Sequence, residues 1–308
     1  MAIHPDGERI GDASISHLRR DHHFRPDERI AANEVYVRHR INMHVHEFFE
    51  VAFVTKGAGV HIYGTSRQRV GPGDLLLINP SVPHGYVPES AEGFVVRNVM
   101  FTAQALEHIL PFPEVAQVMG VFLRSHALTR PPCVSMSASP ALASSVDQLI
   151  EALLVECQSK ASGYRSVVSG LLTALLAIIW RACDCMAQEM NASPHAWERL
   201  LPAIQLVYGS QDEGPTLEAL AESCGWSPSH FSKLFRSATG QTVREFTRRV
   251  RVQRAAARLI ATHDTVDHIA ATLGYSDSRA FRRAFQACTG MTPSGYREAH
   301  ARAGAPLE

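Results

Sequence analysis

Two stretches near the C-terminus of this 308-residue chain repeat one another. Residues 221–242 read AESCGWSPSHFSKLFRSATGQT, and residues 270–292 read AATLGYSDSRAFRRAFQACTGMT. Each runs Ala, three residues, Gly, an aromatic and Ser, then reaches a Phe-x-x-x-Phe pair, Phe231/Phe235 and Phe281/Phe285. Each ends on Thr-Gly, at Thr239-Gly240 and Thr289-Gly290. Side chains four apart share a helical face, so the Phe pairs mark one buried side of a helix. Two copies of a small helical unit, about fifty residues apart, suit a partner that itself repeats. Duplex DNA is such a partner.

Within each copy the residues predict helix-turn-helix. Leu217, Leu220, Ala221 and Cys224 fall on one face of a first helix. Gly225 then supplies the left-handed backbone a sharp turn requires. Ser227 before Pro228 reads as an N-cap with proline at the first helical position. Phe231, Leu234 and Phe235 face inward, leaving Ser229, His230, Ser232, Lys233 and Arg236 outside. In the second copy Ile269, Ala270 and Leu273 pack, Gly274 turns and Ser276 caps. Phe281, Ala284 and Phe285 face inward, and Ser278, Arg279, Arg282 and Arg283 are displayed. Val243–Thr262 predicts a linking helix that carries Arg251, Arg254 and Arg258 at helical spacing.

Charge supports this reading. The chain is neutral overall, yet residues 228–298 hold twelve Lys/Arg against five Asp/Glu. A basic tail on a neutral chain suits a phosphate-bearing partner for that tail alone. Arginine on an outward helical face can bond guanine bidentately in the major groove.

These residues resemble the DNA-binding region of the AraC/XylS family of transcription regulators, over roughly residues 199–300. The pattern A-x-x-x-G-[WY]-S and the closing TGMTPSGYR (Thr289–Arg297) carry the resemblance. It implies a seven-helix module whose two recognition helices enter successive major-groove segments on one DNA face. It assigns base-facing roles to Ser229, Ser232 and Lys233, then to Arg279, Arg282 and Arg283. Ala280 departs from the family, which usually has a larger residue there.

Ahead of this module the chain reads differently. Residues 1–33 are expected to form a polar arm. From about Glu34 to Thr102, short β-rich runs (EVYVRHRI, FFEVAFVT, GVHIYG, DLLLI, GFVVRNVMF) alternate with turn signals such as Lys56-Gly57 and Gly71-Pro72-Gly73. That spacing predicts a small barrel or sandwich, taken here as residues 34–125. Helical periodicity follows over Pro140–Ser159 and Tyr164–Gln188, within a segment of 138–189, and a linker is expected at 190–198. The run Val167–Trp180 is apolar around most of its circumference but short of the ~20 residues a bilayer span needs. One small domain is expected not to bury it alone, so 138–189 is read as a dimerisation segment. The expected fold is therefore two-domain: an N-terminal all-β barrel with dimerisation helices, then an all-α double helix-turn-helix with units at about 217–239 and 266–289. Six scattered cysteines show no disulfide or zinc rhythm. With no apolar leader behind the first Met, they fit reduced thiols in a cytoplasmic protein.

The β-rich region carries one polar constellation. His44-x-His46-x-x-x-Glu50 with Gly57, then Gly73 and His84, resembles the two cupin motifs, and the barrel is cupin-like on that ground. Asn79, Ser81 and Pro88 depart from those motifs. The resemblance brings His44, His46, Glu50 and His84 to a barrel mouth as a candidate divalent-metal set. The same groups, with Arg38 and Tyr63, could instead hydrogen-bond a small hydroxylated effector. Val96–Phe101 and the HEFFE…HIYG run are similar to sugar-sensing members of the AraC/XylS family, rhamnose regulators in particular. No other cofactor is expected.

The expected protein is an activator-type, ligand-sensing, dimeric transcription regulator. Its partners would be promoter DNA, a small-molecule effector, a second copy and RNA polymerase, with no membrane. Two alternatives are a cupin-type metal-dependent enzyme with an accessory helical domain and a constitutive dimeric DNA binder.

Overall fold

A computed structural model of the chain describes residues 17–18, 24, 27–64, 66–80, 82–109, 112–124, 133–136, 139–183, 194–210 and 214–302. Two five-stranded sheets face one another. The larger is built from β2 (Ile30–Val37), β4 (Phe49–Lys56), β7 (Asp74–Ile78), β9 (Phe94–Phe101) and β10 (Cys133–Ser135), in the order β10-β7-β4-β9-β2. The smaller holds β1 (His17–Leu18), β3 (Ile41–His46), β5 (Gly59–Tyr63), β6 (Ser66–Val70) and β8 (His84–Pro88), in the order β1-β3-β8-β5-β6.

The larger sheet is buried on both faces, which explains why β4 and β7 read as continuous apolar runs. Along β4, Val51 and Phe53 join Phe49 in the core beneath the helices, whereas Ala52 and Val54 belong to the barrel interior. Phe49 stacks on Phe101 at 5.5 Å and meets the edge of Phe122 at 5.5 Å. Phe122 belongs to α1 (Pro113–Arg124), a helix inside the stretch read as barrel.

Several boundaries differ from the sequence reading. β2 begins at Ile30, inside the expected arm, because Ile30 pairs with Phe101 on β9. His17–Leu18 of that arm pair in parallel with Val45 and His46. β10 lies beyond residue 125, antiparallel to β7. β6 was not among the expected runs. It is an edge strand whose polar SRQRV offers little apolar signal.

Helices α2 (Pro140–Ser159) and α3 (Tyr164–Cys183) pack together beside the larger sheet. Arg97 of β9 ties α2 to that sheet, reaching Glu34 at 2.7 Å, Asp147 at 2.8 Å and Glu151 at 2.6 Å. α3 is long and apolar enough to cross a membrane by length and composition. Yet Val168, Leu172, Leu175, Leu176, Ile179 and Cys183 are buried in the protein core, against α1, α2 and β10. One side stays open, with Val155 54% and Val167 44% exposed. The expected extension to Gln188 and the linker's first residues, 190–193, lie outside the described residues. α4 (Pro194–Gly209) begins within the span read as linker.

The tail contains α4, α5 (Leu217–Ser223), α6 (Pro228–Thr239), α7 (Val243–Ala261), α8 (Val266–Thr272), α9 (Ser278–Thr289) and α10 (Pro293–Arg302). Gly225 and Gly274 hold φ of +68° and +71° at the two turns, where other residues would be strained. Ser227 caps α6 by accepting from the His230 amide. α9 is capped by Asp277 rather than Ser276, accepting from the Arg279 amide at 2.9 Å. Asp is an equally good cap, so the helix starts one residue later than expected. Phe231 and Phe235 pack with Phe246, and Phe281 and Phe285 with Tyr296, each ring pair within 6 Å.

The arginines of α7 hold this module together. Arg251 Nε donates to the Leu273 carbonyl at 2.8 Å, and Arg254 to those of Val207 at 2.7 Å and Tyr208 at 3.2 Å. Arg258 bonds Thr272. Each carbonyl lies at a helix C-terminus, where partners are lacking and the dipole favours a cation. We expect Arg254→Ala to lower the tail's stability by about 1.5–3 kcal/mol, measured as a shift in urea unfolding.

Candidate DNA-reading surface and sensor site

The two turn-helix units present comparable surfaces. On α6, Ser229, His230, Lys233 and Arg236 are exposed and Ser232 is half-buried. On α9, Arg279, Arg282 and Arg283 are exposed and Ser278 is half-buried. Some already have internal partners. Ser232 Oγ donates to the Pro228 carbonyl at 2.8 Å, and His230 packs edge-on against Trp226 at 5.3 Å. Arg282 lies 3.2 Å from Asp267. Hydrogen bonds from Ser278 and Arg282 hold the Asp267 carboxyl below the usual aspartate range. Arg283 and Arg279 thus project from a helix whose start Asp267 helps to position. The aromatic of each repeat has an equivalent seat: Arg199 lies 4.3 Å over Trp226, and Arg251 lies 4.5 Å over Tyr275.

In the barrel, strand register assembles the second site. His44 pairs with His84 across β3 and β8, Tyr63 with His84 across β5 and β8, and His61 with Tyr86. Directly opposed residues share a face, so the smaller sheet turns a wall of imidazoles and phenols inward. His61 stacks on Tyr86 at 5.0 Å and lies 5.7 Å from Tyr63. Glu50 comes from the facing sheet, where it pairs with Ile78 and Met100. Its Oε2 reaches His46 Nε2 at 2.9 Å and His84 Nε2 at 3.9 Å.

Burial dominates the electrostatics. It pulls His44 and His84 below the ordinary histidine value and His61 down to about 3. It pushes the Tyr63 and Tyr86 phenols up. All five are neutral at pH 7. Both ring nitrogens of His61, Nε2 of His84, and the Tyr86 hydroxyl are buried without a hydrogen-bond partner. Orphaned polar atoms of this kind cost free energy unless a ligand satisfies them.

Of the expected sensor residues, Arg38 lies away from this wall. Its exposed guanidinium sits 4.5 Å over Tyr36, and its neighbour Val37 pairs with Phe94, whereas Glu50 pairs with Met100. Six strand residues separate those ends, roughly 20 Å at ~3.3 Å each. His44 lies on the wall, its ring 4.1 Å from that of His84. The set whose donor atoms fall within 4.8 Å of one another, however, is His46, Glu50 and His84. Those three fit a divalent transition metal in donor type and in the unpartnered Nε2 of His84. The wall also carries His61 and Tyr86, which the sequence reading did not name. The alternation in GVHIYG, which puts His61 and Tyr63 on one face, was the available signal.

The pattern described as "AraC-like ligand binding domain" matches residues 29–176, and a "Helix-turn-helix domain" pattern matches residues 220–299. Together they cover well over half the chain. The chain belongs to the AraC family of transcription regulators. It is similar to the HTH-type transcriptional activator RhaR of Klebsiella pneumoniae subsp. pneumoniae, 27% identical over 91% of this chain and 96% of that one. RhaR of Pectobacterium carotovorum subsp. carotovorum is 24% identical over 83% and 86%. Among solved structures, ToxT from Vibrio cholerae aligns over 88% of this chain and 98% of its own, at 11% identity and a TM-score of 0.41.

As an AraC-family regulator, the chain couples a ligand-binding barrel to a DNA-binding tail, and effector control of transcription is its function. We expect Arg283→Ala to weaken operator binding by about 1–3 kcal/mol while leaving binding to random DNA unchanged. A gel-shift titration showing equal losses on both would reassign Arg283 to phosphate contact.

Proposed function

We propose that this regulator is a cytoplasmic, dimeric activator whose effector is a small hydroxylated molecule, a sugar or related polyol, held on the inner wall of the barrel. His44, His61, Tyr63, His84 and Tyr86 offer the hydrogen-bonding edges. The DNA-contacting residues are Ser229, His230, Ser232, Lys233, Arg236, Ser278, Arg279, Arg282 and Arg283. RNA polymerase is the partner through which the bound protein would raise transcription. The protein acts as a regulator and not as an enzyme, because each residue set has a binding role to fill.

One observation carries this reading. Ile260, near the end of α7, packs against a cluster formed by Met43 and Ile62 with Val60 and Val87. Successive strand residues point to opposite faces. Met43 is flanked by His44, and Ile62 by His61 and Tyr63. The outer side of the sensing wall is therefore the surface on which the linking helix rests. Arg249 of α7, half-buried, also lies near Tyr63 and Tyr208, and burial lowers its pKa. An effector that shifts β3 or β5 would act on α7 through one thickness of sheet, provided it binds one arrangement better than the other.

The open side of α2 and α3, with Val155, Val167 and half-buried Leu171, is the surface we assign to the second copy. Charging it through Val155→Glu with Val167→Glu should give monomers by sedimentation velocity while the fold persists by circular dichroism.

The deciding experiment measures affinity for a promoter fragment with and without each of a panel of pentoses, hexoses and deoxyhexoses. One sugar should change affinity by about 5–150-fold, the usual range of coupling. In Ile260→Ser that response should shrink toward zero with sugar binding retained. A response of full size in Ile260→Ser would reject the route through α7. Silence to every sugar would reject the effector class.

A further inference from the structure

The outer side of the smaller sheet carries arginines for which the sensor has no use. Across β5 and β6, Arg67 stands opposite Ile62 and Arg69 opposite Val60. Directly opposed residues share a face, and Ile62 and Val60 belong to the patch on which Ile260 of α7 rests. The β6 arginines therefore flank the seat of the linking helix. Arg69 is occupied, gripping Glu89 through Nε at 2.7 Å and Nη2 at 2.9 Å. Arg67 is exposed, and neither it nor Arg40, which immediately precedes β3, is ion-paired among the described residues. Burial and the charge of Arg67 together hold the Arg40 guanidinium below the ordinary arginine value, so the two cations lie within electrostatic reach of one another. The end of α7 does not engage them: its Leu259 carbonyl accepts from Arg297 at 2.8 Å.

We propose that Arg40 and Arg67 grip the DNA phosphate backbone beside the second reading unit, so that the sensor barrel is itself part of the DNA-binding surface. The first helix of a helix-turn-helix crosses the backbone while the second enters the groove. In the second unit that first helix is α8, and only the residues from Thr262 to Thr265 separate it from the end of α7. A bound duplex thus runs past the corner where α7 gives way to α8. Ile260 holds this corner against the barrel, with the two arginines alongside. A guanidinium fork matches phosphate oxygens bidentately. Two neighbouring cations without a carboxylate between them suit a polyanion better than a single acid. Such a contact carries no sequence information, but it fixes where the barrel sits on the duplex.

The test uses the full-length protein with a promoter fragment and with a random-sequence duplex of equal length, each titrated at several KCl concentrations. For Arg40→Gln with Arg67→Gln, the slope of log affinity against log salt should flatten by about 0.9 for each lost contact, hence by about 2. Each single variant should flatten it by half as much. At fixed salt the double variant should lose affinity by the same factor on both duplexes. Arg40→Lys with Arg67→Lys should retain most of the slope, because charge carries the effect. Arg181→Gln, at an exposed arginine near the end of α3, should leave it unchanged. A wild-type slope in the folded double Gln variant would overturn the proposal and leave two solvated arginines. A loss confined to the promoter fragment would overturn it in favour of an indirect effect on base reading. Lost activation in a transcription assay with the slope unchanged would reassign the pair to an acidic surface of RNA polymerase.

Discussion

The guanidinium groups of Arg251 and Arg254 reach from a single helix to the carbonyls that end two others, at Leu273 and at Val207 and Tyr208. Arg251 registers the second DNA-reading unit to α7, Arg254 registers α4, which packs on α5 and α6 of the first, and Arg297 adds another bond from α10 to Leu259 at 2.8 Å. Hydrogen bonds from charged donors are roughly twice as strong as those between neutral groups. The offset between α6 and α9 is therefore a property of α7. The same helix sets Ile260 against the barrel, so the reading heads and the sensor share one rigid element.

The sensor is built on an opposite principle. Instead of satisfying its polar atoms internally, the inner wall leaves imidazole nitrogens and a phenol buried without a protein partner. A core evolved for stability alone would replace them with apolar groups, as the facing Ala52, Ile78 and Val96 do. The cost is recovered when a ligand supplies the missing partners. A site that is uncomfortable when empty couples naturally to binding, since occupancy changes the energy of the strands that carry it. Only the thickness of the smaller sheet separates that change from α7.

Much of the tail was legible because its signals are local. Caps, turn glycines and Phe pairs act within a dozen residues, so repetition made each unit readable twice. Even the slip from Ser276 to Asp277 stayed within one residue. The barrel was legible in outline and misjudged at its edges. β6 carries almost no apolar pattern, and the partners of Ile30 and β10 lie roughly seventy and sixty residues away. Arg38 was grouped with the sensor for being polar and nearby in sequence, but register along β9 places it at the far end.

By itself, the order of residues determined the double helix-turn-helix, its exposed Arg and Ser rows, and the His-x-His-x-x-x-Glu run, since periodicity and capping are written into neighbouring residues. Tertiary structure alone decided that Glu50 meets His46 and His84 from a facing sheet, that His61 and Tyr86 complete the wall, and that α7 rests behind it. Those contacts depend on strand register and on how two sheets and a helix stack. No local preference encodes them, because their free energy exists only after distant segments have come together.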